Sequence, residues 1–138
     1  MQAPTAADLL YELVVQQALE QAWNDSLPGD PVQRHEEGGW IYMDDSTSIV
    51  LLRRAPAGAQ STLDLSTPPV VPGAFVVATF HTHPNPSAEG WEPGPSAADT
   101  QSAWIFGVPC IIRADDGFHT TGPTSRRGGL TGGPGYPP

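Results

Sequence analysis

The residues best able to do chemistry stand together at His81-Thr82-His83-Pro84, directly after the most continuous apolar run of the chain. That run, Ala74-Phe75-Val76-Val77-Ala78-Thr79-Phe80, predicts a central strand over residues 74–80, buried on both faces. Side chains alternate along a strand, so His81 and His83 project to one side, a pleat apart, with Thr82 turned away. Two imidazoles at that spacing can share a metal ion. Pro84 lacks an N–H and stops the strand, which puts the pair at a sheet edge, where a cleft is expected. A catalytic tetrahedral site needs a third protein ligand and an open position for water. Ser96-Ala97-Ala98-Asp99 supplies a candidate. On a helix starting at Ser96, Asp99 lies one turn along on nearly the same face, with the Ser96 hydroxyl beside the open position. The same residues also read as a helix-capping box entered from Pro95, and spacing does not choose between the two. A hydrolytic site also needs a base. Glu36-Glu37-Gly38-Gly39-Trp40 offers two carboxylates ahead of a strand, and a solvated acidic pair is the other reading of them.

These side chains must be positioned by the surrounding elements. Leu10, Leu13, Val14, Ala18 and Ala22 recur at helical steps, which predicts one helix over residues 6–24, N-capped by Thr5 with Asp8 in the first turn. Leu27-Pro28-Gly29-Asp30-Pro31 ends it. Residues 40–43 and 48–52 predict a hairpin around Asp44-Asp45-Ser46-Thr47, and 55–73 reads as a Pro/Gly/Ser/Thr-rich connection. Residues 84–95 form a loop with an isolated Trp91, and 96–104 a short helix. Two last strands, 108–114 and 118–121, meet at Asp115-Asp116-Gly117. The order predicts an α/β fold, a mixed sheet flanked by an N-terminal helix and a short helix after the His-x-His strand.

Composition narrows the function classes. At 138 residues the chain has the size of one domain, expected over 1–122, with 123–138 a flexible Gly/Pro-rich tail. Fifteen acids against six bases give −9; all six bases are arginines (34, 53, 54, 113, 126 and 127), and lysine is absent. Such a surface argues against nucleic acid and anionic membrane as partners, and makes a basic substrate segment worth testing. No apolar stretch is long enough to span a bilayer, and no signal-peptide layout is present, so a cytoplasmic location is expected. The lone Cys110 excludes an internal disulfide and a Cys-built zinc finger, and reads as a small buried hydrophobe. His35 and His119 read as bystanders, and Asp44-Asp45 and Asp115-Asp116 as turn residues.

Taken in order, Glu36, then His81-Thr82-His83-Pro84, then Ser96-Ala97-Ala98-Asp99 resembles the JAMM signature of the JAB/MPN metalloproteases, in particular bacterial members. Glu36-Glu37-Gly38-Gly39-Trp40-Ile41 is similar to the family's Glu-x-x-Gly entry into an apolar strand, and Gly107-Val108-Pro109 before a strand also agrees. The resemblance covers residues 32–122. It implies a JAB/MPN-like (cytidine-deaminase-like) fold and a zinc ion held by His81, His83 and Asp99. Glu36 would be general base and then general acid, with Ser96 donating to the oxyanion. The implied reaction is hydrolysis of a peptide or isopeptide bond in a protein or peptide substrate, with a ubiquitin-like modifier or its conjugate as one such substrate. The Glu-x-x-Gly match favours Glu36 over Glu37 as base.

The chain departs from the pattern in one place. Twelve residues separate His83 from Ser96, more than the signature usually has, and these redraw the rim of the cleft. Trp91, between Glu89 and Glu92, is read as an anchor for this loop ahead of a rim contact. Ser125-Arg126-Arg127-Gly128-Gly129 resembles the di-glycine end that such proteases cut, and coincidence in a Gly-rich tail is the simpler reading. The alternatives are a processing or toxin-type peptidase on the same scaffold and a non-catalytic binding module of that fold. A non-haem iron oxygenase would leave Ser96 and Glu36 without a role.

Overall fold

The apolar run before His81 forms the middle strand of a five-stranded sheet in the computed structural model, which describes residues 2–128. In chain order the elements are α1 (Ala6–Leu10), α2 (Leu13–Asp25), β1 (Gly38–Asp44), β2 (Val50–Arg54), β3 (Ala74–Thr82), α3 (Ala97–Phe106), β4 (Cys110–Ala114) and β5 (Gly117–Thr121). The strands lie in the order β2-β1-β3-β4-β5. Only β3 and β4 are parallel, which requires the crossover that the 84–95 loop and α3 supply. The result is a mixed α/β fold with three α-helices among the described residues.

β3 continues two residues past its expected end, so His81 sits inside the ladder, opposite Gly38 on β1 and Ile112 on β4. Ile41 pairs with Ala78 but Tyr42 with Val76, which leaves Val77 as the extra residue of a β-bulge. The bulge lets Val77 join Ala78 and Phe80 on the helix side of the sheet. Gly38 and Gly39 admit their neighbours' backbones: a Cβ on Gly38 would strike the Phe80 carbonyl, and one on Gly39 the Arg53 carbonyl. The close approach at these glycines is that of the neighbouring strands.

The expected single helix over 6–24 is broken at Tyr11–Glu12, where Glu12 is extended (ψ 124°). The buried residues explain the break. Leu9 is fully buried, and α2 buries Val15, Leu19 and Ala22 against Ile41, Phe80 and Ile111. On one straight helix Leu9 and Val15 would point about 120° apart and could not both face this core. Gln16 Nε2 donates to the Leu10 carbonyl freed at the break (2.7 Å). The apolar stripe therefore runs through Val15 and Leu19, worth about 1.5–3 kcal/mol each, while Leu13 and Val14 face solvent.

The opposite face of the sheet is covered by two different things. Beside β1, the 55–73 connection folds over Trp40 and Tyr42, whose Nε1 and hydroxyl donate to the carbonyls of Leu65 (3.0 Å) and Pro69 (2.7 Å). Beside β4 and β5 lies α3, closed by Gly107 at φ 75°, where a left-handed residue lets the chain turn into β4. The site lies between them. The first residues of the expected tail are held against the domain: Thr5 bridges to Ser125, Arg127 N–H donates to the Gly107 carbonyl (2.9 Å), and Arg126 is buried with Nη1 on the Val76 carbonyl (2.8 Å). Composition alone hides this, because an arginine that reaches into the sheet anchors a Gly/Pro-rich segment. The rest of the expected tail, including Gly129 of the di-glycine motif, lies outside the described residues.

Candidate metal centre

His81 and His83 turn their Nε2 atoms toward each other, 3.1 Å apart. From across the cavity, Asp99 of α3 brings Oδ1 to 3.4 Å from His81 Nε2 and Oδ2 to 3.2 Å from His83 Nε2. Donor atoms about 2.0–2.1 Å from a tetrahedral zinc lie about 3.3–3.4 Å apart along the edges of the tetrahedron. The separations, which run to different oxygens of Asp99, are close to that length, and His81, His83 and Asp99 form a group able to hold a metal.

Each imidazole is oriented through its other nitrogen. His83 Nδ1 lies 3.2 Å from the Pro93 carbonyl, which can only accept, so the Nδ1 proton goes there and the Nε2 lone pair faces the shared point. His81 Nδ1 lies 3.5 Å from Cys110 Sγ. Cys110, expected to be a plain hydrophobe, thus supports a candidate ligand, and only the β3–β4 register reveals it. Burial opposes a charge on His81, but Cys110 and Asp99 outweigh it and hold the imidazole's proton affinity well above the usual range. Burial likewise pushes the Asp99 carboxyl up, and its bonds to His81 and His83 overcome this, leaving it far below the carboxylate range.

The two readings of Ser96-x-x-Asp99 hold together. Ser96 Oγ accepts from the Asp99 N–H (3.0 Å), and the Ser96 N–H donates to Asp99 Oδ2 (2.9 Å). The cap locks the carboxylate's rotamer with one oxygen toward His83. It engages the serine oxygen only as an acceptor, so the hydroxyl proton is left to donate elsewhere.

Glu36 and Glu37 separate cleanly. Glu37 turns away to His35 Nε2 (2.5 Å) and Arg54 Nη2 (2.6 Å). Glu36 is 6% exposed and lines the same cavities as Asp99 and Ser96. Burial raises its carboxyl above the usual range, His81 and His83 pull it down, and Asp99 adds to the rise. The backbone of Glu36 is pinned by Ala59 and Gly58 (2.8 and 2.9 Å), and that of Glu37 by Thr82.

Thr82 explains the middle of His-Thr-His. Ser26, the C-cap of α2, spends its proton on the Ala22 carbonyl (2.8 Å), so at its 2.5 Å contact with Thr82 the threonine is the donor. Thr82 Oγ1 then accepts the Glu37 N–H (3.0 Å). The buried hydroxyl pair ties the end of α2 and the Glu36-Glu37 segment to the histidine strand. Nothing in the local sequence pointed to Ser26.

Two cavities meet at Glu36, Ser61, Ser96 and Asp99. One, about 310 Å³, has His81, Thr79 and Cys110 on its floor and Leu63, Leu65 and Phe106 in its walls. The other, about 320 Å³, runs past His83 to Trp91 and Glu92. Trp91 is thus a rim residue, 41% exposed. The loop is anchored instead by Arg34 on Glu89 (2.6 and 3.2 Å) and by Ser87 on Asp115 (2.9 and 3.0 Å). His119 pairs with Asp116 (2.7 Å), and His35 is held by Glu37 and the Gln33 carbonyl. Comparison of the chain with protein-family models, curated proteins and solved structures finds no match. No helix among the described residues is long and apolar enough to cross a membrane.

Proposed function

We propose that this protein is a zinc-dependent hydrolase of peptide or isopeptide bonds, of the JAMM type that its sequence resembles. The observation that carries this reading is the convergence of His81, His83 and Asp99 into a group able to hold a metal, beside the buried carboxylate of Glu36. A zinc ion bound there supplies a water of lowered pKa and a Lewis acid for the scissile carbonyl. Glu36, with its proton affinity raised by burial, is the group that would take up a proton from an attacking water and hand it to the leaving nitrogen. Ser96 donates its free hydroxyl proton to the carbonyl oxygen as negative charge develops on it. The walls of the two cavities exclude bulk water from Glu36 and hold substrate on either side of Asp99. A ubiquitin-like modifier joined through its C-terminus belongs to the substrate class this chemistry serves.

Two histidines and one carboxylate also hold iron in non-haem oxygenases. The placement of Glu36 and Ser96 favours hydrolysis, because both supply proton chemistry that an oxygenase would leave unused. The test is metal analysis with a substitution. Purified protein is expected to carry one zinc per chain, and Glu36→Gln to keep zinc while losing at least about a hundredfold in hydrolysis. Protein that folds without binding zinc, or Glu36→Gln that hydrolyses at the wild-type rate, overturns the reading.

A further inference from the structure

The cavity beyond His83 carries groups that the hydrolytic chemistry does not use. Trp91 lines it with a large apolar side chain left 41% exposed. Glu92 lines it too, and makes no hydrogen bond or ion pair with any described residue, whereas its neighbour Glu89 is neutralised by Arg34. Glu36, 6% exposed and with no hydrogen-bond partner on its carboxylate, faces the same space. No arginine lines either cavity. Arg34, Arg54 and Arg113 are engaged with Glu89, with Asp25 and Glu37, and with Glu20, and Arg126 with the Val76 carbonyl. An anionic group entering here would meet three carboxylates, Glu36, Glu92 and Asp99, and no arginine to offset them, inside a chain of net charge −9. A protonated side chain would meet an aromatic ring and an unpaired carboxylate, the pairing that holds ammonium and guanidinium groups.

We propose that this cavity is a subsite for a lysine or arginine side chain next to the scissile bond, held by the Trp91 ring and the Glu92 carboxylate. The Gly90 backbone at its mouth, in open space at φ 91°, leaves room for an extended segment to enter. The subsite rests on the hydrolase reading for its place beside the reacting bond, but its preference for positive charge can be read without turnover.

The zinc-loaded protein is titrated with a blocked glycine pentapeptide bearing a central lysine, and with the same peptide acetylated on that lysine. Binding is followed by the Trp91 indole NMR signal, assigned with Trp91→Phe, and peptide integrity is checked by mass. The lysine peptide is expected to bind about fivefold to tenfold more tightly. That preference is expected to vanish in Glu92→Gln and to fall with added salt. Equal affinities for the two peptides, a preference that survives Glu92→Gln, or no indole shift with either peptide at millimolar concentration each overturn the proposal. Intact peptides with the preference retained would support the subsite and count against the hydrolase. Cleaved peptides with no preference would do the reverse.

Discussion

Two helices of this molecule begin in the same way. At the start of α1, Thr5 and Asp8 exchange hydrogen bonds of 3.0 and 3.0 Å; at the start of α3, Ser96 and Asp99 exchange bonds of 3.0 and 2.9 Å. Both are hydroxyl-x-x-aspartate boxes with the carboxylate reaching back to the cap N–H. Asp8 faces solvent and does nothing else, while Asp99 meets two imidazoles across a cavity floored by β3. The local chemistry is identical, so the difference belongs to what the sheet places opposite. A cap fixes a carboxylate's rotamer cheaply, and a neighbouring strand with two histidines turns that fixed rotamer into a candidate ligand.

The comparison can be broken most forcefully at the two aspartates. Asp99→Asn is expected to lower zinc affinity by more than about a hundredfold, and Asp8→Asn to leave zinc content unchanged. Equal effects from the two, read by metal analysis after dialysis, would remove the distinction. The serine and threonine sharpen it. Ser96→Ala and Thr5→Ala should each cost about 1 kcal/mol in denaturant melts. Only Ser96→Ala should also lower kcat, by about a hundredfold to a thousandfold, with zinc retained.

What stands opposite the second box is set partly by Thr82. Thr82→Val strips the hydroxyl from a buried pair and leaves the Glu37 N–H without its acceptor, a loss of about 1–3 kcal/mol. Thr82→Ser should keep the network and most of the stability; equal melting of the two variants would show the hydroxyl to be idle. The smallest effect is in acid. Asp99 is held below the ordinary carboxylate range, so its contribution to the metal-free fold is complete above that range and fades as pH falls through its depressed pKa. The stability gap between wild type and Asp99→Asn should therefore narrow on acidification, and a gap that widens would contradict the assignment.

How much of this could be read beforehand follows from how local each feature is. His81, His83 and Asp99 were legible because two-residue and three-residue spacings survive folding unchanged. The break in the first helix was not. It depends on Leu9 and Val15 sharing a core with strands far along the chain, and on Ala6 donating to the Thr124 carbonyl (3.2 Å). The Ser26–Thr82 pair spans 56 residues, and the Cys110–His81 contact comes from parallel strand register. The expected helix face holds in part for a related reason: Leu10 and Ala22 pack into the core, while Leu13 and Val14 satisfy the period and stay exposed.

The loop that carries Trp91 and Glu92 is the same loop whose Pro93 carbonyl orients His83. Change in that loop over evolutionary time is therefore constrained in pairs. A residue gained or lost near Trp91 shifts Pro93 and, with it, the imidazole of a group able to hold a metal. Descendants are expected to alter side chains along this loop while keeping its length, so that the register of one carbonyl is inherited even as the surface around it diverges.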